Sequence, residues 1–290
     1  MSTTVVPGGD VQSSTAWPSV IRPETVYANA RELCAYASEP GPGEPGTLRF
    51  HTAVMRALNR LQAVPMPFRE DSFEPVLDFG DHGDLALFKE LLTVDELPSD
   101  WRYEAGERER IEASVTEALS VLEEVDAAVS RSMKTIVGAL IFARRAHFGG
   151  GSVSHLIGTI WLGPSPKWPS LDYAENLLHE YVHQCLFLDE MVNTIFSATV
   201  PRMAEEDALV TSTILRRRRG YDKAFHSAFV AAVIMQLYRR LGRQAPEHAS
   251  LQPAVVTAAE LRERQQFLTR HGVELVDELD GVLAELGAEA

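Results

Sequence analysis

Cysteine is nearly absent from this chain of 290 residues. Only Cys34 and Cys185 are present, too few for a disulfide framework. Long hydrophobic runs are missing too. The most apolar stretches, Ile136 to Ala143 and Phe229 to Met235, fall far short of the roughly 20 residues a membrane-spanning helix needs. Met1 to Val20 contain no Lys, no Arg and no apolar core, which argues against a secretory signal and for a flexible tail. Positive charge is the scarcer sign: 27 Lys and Arg face 41 Asp and Glu, for a net charge of −14. Such a chain repels a phosphate backbone, so nucleic acid is not an expected partner. No internal repeat and no long low-complexity tract is present. These absences describe a soluble protein of a reducing, cytoplasmic compartment, with no membrane partner.

What is present is an ordinary core-forming composition, 45% hydrophobic and 23% charged, enough for a buried interior. Apolar spacing predicts helices over Pro23 to Ala37, Thr47 to Val64, Asp84 to Leu92 and Glu104 to Met133. Pro and Gly between Glu39 and Gly46 break the first two apart. Phe68 to Gly83 is turn-rich and carries no assignment. Two strands are expected, Thr135 to Ala143 and Ser154 to Leu162, with a glycine hinge at Phe148 to Ser152. Ser170 to Val192 reads as a strong helix capped by Ser170 or Asp172. Tyr221 to Leu241 is another, and Pro253 to Gly287 supplies two more, broken at Gly272. Helices outnumber strands, so the expected class is helix-rich α+β.

Within the helix from Ser170 lies His179-Glu180-Tyr181-Val182-His183, an HExxH pattern. Positions four apart share a helical face, so both imidazoles can address one metal ion. Glu180, one step round, is placed to hold or deprotonate a metal-bound water. Unpaired, two histidines and an acid on an apolar helix are costly to bury. Read without a metal, they are core or surface histidines beside a solvated acid.

A third ligand has three sources. Asp189 lies six residues past His183, but Leu186 stands where a chain-turning Gly is normally required. Glu205 or Glu206, in Ala204-Glu-Glu-Asp207, sits at a longer spacing. His226, near the start of the helix from Tyr221, faces inward with Phe225 and Phe229 and completes a three-nitrogen set. Ahead of it runs Arg216-Arg-Arg-Arg219, the one dense basic run. It is either a solvated turn or, at Arg219, a bidentate clamp for a carboxylate or phosphate. The strand from Ser154 to Leu162 is either core or an edge offered to an extended peptide.

Three segments together resemble the HExxH-motif peptide-modification family associated with ribosomally made peptides. They are Ser154 to Leu162 (SHLIGTIWL), Leu177 to Gln184 (LLHEYVHQ) and Arg219 to Val230 (RGYDKAFHSAFV). The resemblance covers roughly the second half of the chain. It implies a zincin-like HExxH helix beside a small sheet, surrounded by helices. It also implies an iron(II)- and 2-oxoglutarate-dependent oxygenase that hydroxylates a β-carbon of a precursor peptide. Iron would then be held by His179, His183 and His226. Arg219 would pair with a carboxylate of 2-oxoglutarate, and Glu180 would orient a ligand or the substrate. The organisation expected is a tail over 1–20 and one catalytic domain over 21–290, helical to about 133 and holding the metal site over 134–290. Two other readings stand beside it. One is a zinc metallopeptidase with Glu180 as general base, which leaves Arg219 idle. The other is a non-enzymatic peptide-binding module.

Overall fold

A computed structural model describes residues 16–81, 85–144 and 149–288. Its helices are α1 (Pro23–Tyr36), α2 (Leu48–Leu61), α3 (Ala86–Leu92), α4 (Ala105–Val125), α5 (Ala127–Ile136), α6 (Ser170–Asn193), α7 (Val200–Met203), α8 (Tyr221–Arg240), α9 (Leu251–Glu263) and α10 (Arg270–Ala288). The strands are β1 (Val76–Asp78), β2 (Ala139–Phe142), β3 (Gly150–Gly151), β4 (Thr159–Leu162), β5 (Val210–Thr211) and β6 (Arg218–Arg219). The class is helix-rich α+β, as the periodicity predicts. Among the described residues no helix is long and apolar enough to cross a membrane.

The larger sheet runs β1-β2-β4-β3. β1, β2 and β4 are parallel, and β3 pairs antiparallel with β4, Gly150 opposite Leu162 and Gly151 opposite Trp161. Every residue of β2 and β4 is buried, as expected for short apolar strands covered on both faces. α6 and α8 are the central helices. α8 is buried at nearly every position from Tyr221 to Leu237, the signature of a helix enclosed on all sides rather than amphipathic. One contiguous cluster of buried apolar side chains reaches from Trp17 to Leu286.

Several expectations are corrected. Glu104 to Met133 is two helices, not one. Asp126 leaves helical geometry with φ −162°, and its Oδ1 accepts from the amides of Ala128 and Val129, both at 3.0 Å, starting α5 afresh. Thr135 and Ile136 end α5 instead of opening a strand, which begins only at Ala139. The strand expected from Ser154 begins at Thr159, after turns that close at Gly158 with φ +90°. β4 is therefore interior, and the sheet edge is β3, built from two glycines of the expected hinge. Phe148 lies outside the described residues, as does Asp84. α6 is preceded by Pro169 and no side chain caps it. The Ser170 hydroxyl instead donates to Glu117. Gly272 does not break the C-terminal helices but sits inside α10, where a Cβ would come 2.3 Å from the Ile195 carbonyl oxygen. The break falls between Glu263 and Arg270.

The last residues of the expected tail are packed on the core. Residues 1–15 lie outside the described residues, but Trp17, Val20 and Ile21 are buried. The Trp17 indole donates to Asp126 at 2.9 Å, and Ser19 N donates to Glu278 at 3.0 Å.

Candidate functional site

The HExxH segment occupies the middle of α6, and the helical repeat places His179 over His183 with ring centroids 5.1 Å apart. α8 packs alongside and brings His226 to His183. Their rings stack at 5.2 Å and 20°, and the two Nδ1 atoms are 2.9 Å apart. Phe187, one turn past His183, lies 6.1 Å from that ring and 5.1 Å from His226, forming an apolar wall. Among the described residues no three His, Cys, Asp or Glu side chains are gathered into a closed ligand set. What converges is the nitrogen pair of His183 and His226, with His179 one helical turn away.

Burial governs the electrostatics. It lowers the pKa of His179 to about 4 and that of His226 to about 3. His183 is held well below the ordinary range by burial first, then by His179, His226, Lys223 and Arg219. All three rings are thus neutral near pH 7, the form that offers a nitrogen lone pair.

Glu180 is also buried, its Oε1 3.9 Å from His179 Nε2. Burial raises its pKa to about 8, and the nearby Ser152 hydroxyl opposes this only in part. Neither Glu180 Oε2 nor Ser152 Oγ completes a hydrogen bond. Glu180 faces β3 closely: a Cβ on Gly150 would lie 3.5 Å from Glu180 Oε1 and 2.9 Å from the Trp161 carbonyl oxygen. Only glycine lets the edge strand approach this far.

The four arginines part company. They form the second strand of the β5–β6 hairpin and the turn before it, Arg218 opposite Thr211 and Arg219 opposite Val210. Arg216 donates to the Glu247 carbonyl oxygen at 2.6 Å, and Arg218 pairs with Glu206 at 2.8 Å. Arg219 is half-buried, and among the described residues its guanidinium has no hydrogen-bond or ion-pair partner. Desolvation lowers its pKa. Its charge in turn reaches His183. Lys223, in the first turn of α8, adds a second positive charge felt by both His183 and His226. Its Nζ pairs with Asp222 Oδ2 at 2.8 Å.

The other ligands considered are engaged elsewhere. Asp189 is buried with Oδ1 accepting from Asn29 at 2.8 Å and Asn193 at 2.7 Å, and Oδ2 paired with His271 at 2.6 Å. With no glycine at 186, α6 runs on past the motif and carries Asp189 into this network. Glu205 and Glu206 pair with Arg202 at 3.1 Å and Arg218 at 2.8 Å, on the exposed side of the hairpin.

Sequence reasoning did not single out Glu175, Tyr238 and His248. Glu175 stands one turn before His179 on the same face of α6. Its carboxylate takes the Tyr238 hydroxyl at 2.6 Å and His248 Nε2 at 2.8 Å. The i−4 spacing to His179 was the available signal; the approach of His248, 73 positions further along, had none. No protein-family model and no curated protein matches the chain.

Proposed function

We propose that this chain is an iron(II)- and 2-oxoglutarate-dependent oxygenase that hydroxylates a side-chain β-carbon of a ribosomally made precursor peptide. The observation that carries the reading is Arg219: a half-buried, unpartnered guanidinium whose charge reaches His183, itself grouped with His179 and His226, two further buried and neutral histidines. The donor set fits a divalent metal. Two nitrogens bound at 2.0–2.1 Å and at right angles stand about 3 Å apart, and the His183–His226 pair is at 2.9 Å. The surroundings fit a dianionic keto acid, because Arg219 and Lys223 supply positive charge while burial keeps Glu180 from adding a repelling carboxylate.

His179, His183 and His226 would hold the metal. When bound, iron(II) with 2-oxoglutarate and dioxygen supplies a reaction that decarboxylates the keto acid to succinate and inserts one oxygen atom into a C–H bond. Arg219 holds the keto acid by its distal carboxylate, as a planar fork suits. Phe187 excludes water from the face of His183 and His226. Protonated Glu180 can donate a hydrogen bond to a bound ligand through the oxygen that lacks a protein partner. An HExxH helix packed against a small sheet with an antiparallel edge supports reading the arrangement as zincin-like. The peptide lies along β3, whose outer edge offers backbone hydrogen bonds without reading sequence. A reducing cytoplasm suits ferrous iron and the two buried free cysteines.

One observation favours a second reading, a zinc metallopeptidase. Glu180 is a buried acid beside His179 with an unpartnered oxygen, the position of a general base for a metal-bound water. Under that reading Glu180→Gln abolishes peptide cleavage.

Anaerobic reconstitution with iron(II), 2-oxoglutarate and a precursor peptide encoded beside this chain, followed by oxygen, separates the two. The oxygenase yields succinate and a peptide heavier by one oxygen atom. Cleaved peptide and tight zinc, with no keto-acid turnover, overturn it.

A further inference from the structure

The charge around the three histidines is one-sided. Arg219 and Lys223 are positive, and the Asp222 carboxylate is tied to Lys223 at 2.8 Å. A divalent cation held among these histidines needs a negative charge that these groups do not supply. Glu175 is the buried carboxylate placed to supply it. It shares one face of α6 with His179 and His183, at intervals of four residues, and it is 8% exposed. Burial alone would raise its pKa, but the bonds from His248 and Tyr238 outweigh burial and leave it ionised. Its charge and that of His179 act on each other. Both oxygens are fixed from outside the motif, one by Tyr238 of α8 and one by His248 of the short turn at Glu247–Ala249.

We infer that Glu175 is a positioning residue of the metal site: held by Tyr238 and His248, its carboxylate stabilises metal-bound His179 one helical turn away and sets the affinity for a divalent cation. The inference rests on the metal-dependent reading above and names the part of the protein outside the ligand set that makes the site a cation site. Groups beyond the ligands of a metal commonly act in this way, and their loss weakens binding by about 10–100-fold.

The test is a titration of the metal-free full chain with cobalt(II), followed by its visible absorption, in wild type, Glu175→Gln and Glu175→Asp. Glu175→Gln should bind about 10–100-fold more weakly, and Glu175→Asp, which restores the charge, should recover most of the loss. Loss of packing alone would lower the melting temperature of the metal-free protein equally in both variants and would not separate them by affinity. Equal affinity of folded Glu175→Gln and wild type overturns the inference, as does a Glu175→Asp variant as weak as Glu175→Gln. If Glu175→Gln does not fold, Tyr238→Phe serves: losing one bond to the carboxylate should weaken cobalt binding severalfold at pH 6, and unchanged binding overturns the inference. A wild-type chain that binds no metal overturns the functional reading itself.

Discussion

At the scale of single residues, the site depends on histidines that burial keeps neutral even well below neutral pH. His226, with a pKa near 3, is neutral where an exposed histidine begins to charge. The unfolded chain therefore takes up a proton at His226 between roughly pH 6.5 and 3 that the folded chain does not. Its contribution to stability is complete above pH 6.5 and falls as pH drops, by at most about 1.4 kcal/mol per pH unit. The melting temperature of metal-free protein should thus decline from pH 7.5 to pH 5. His226→Gln should flatten that decline; an unchanged slope would show that His226 is not held neutral. With metal added, His183→Gln and His226→Gln should each weaken binding more than Glu175→Gln does, because they remove donor atoms. Calorimetric titration with cobalt(II) ranks the three directly.

At the scale of elements, helices α1, α2, α6 and α8 were legible from their apolar spacing to within a few residues, and α6 brought with it the facing pair His179 and His183. The misread elements were those decided by contacts distant in sequence. Asp126 splits a periodic run because its carboxylate caps α5 at the cost of one helical turn, and no periodicity registers that. β3 escaped notice because two glycines carry no strand propensity; it forms because β4 offers an edge and glycine permits the approach to Trp161. Asp126→Ala should cost about 1 kcal/mol, read as a lowered urea midpoint at constant slope. Gly272→Val should lower the melting temperature by many degrees, since its side chain meets the Ile195 carbonyl. Gly281→Ala, also in α10 but with open space around its Cβ, should raise stability by about 0.5–1 kcal/mol. A Gly272→Val protein as stable as wild type would contradict the close packing of α10 on the segment after α6.

At the scale of the whole molecule, the acidic composition acquires a location for its exception. Of the basic run at Arg216 to Arg219, Arg216 and Arg218 bind the protein itself, and Arg219 is the member whose charge reaches His183. Sequence could mark the run but not which member's charge reaches His183, because that depends on the β5–β6 pairing and on α8 starting at Tyr221. The two ends of the chain also meet, Ser19 and Arg22 on Glu278 of α10, and Trp17 lies against Arg240 of the site-bearing helix α8 at 4.2 Å. Deleting residues 1–21 should therefore destabilise the protein by several kcal/mol, from the loss of Trp17, Val20 and Ile21 from the core, seen as a lowered melting temperature.

The central claim is that three neutral histidines and Arg219 together bind a metal and a dicarboxylate keto acid. Anaerobic calorimetry of 2-oxoglutarate into iron(II)-loaded protein tests it without knowledge of the peptide. Wild type should bind one equivalent, Arg219→Ala should lose at least about tenfold in affinity with metal binding retained, and metal-free protein should show no saturable binding. Iron-loaded wild type that takes up no 2-oxoglutarate, or an Arg219→Ala variant that binds it equally well, would contradict the account.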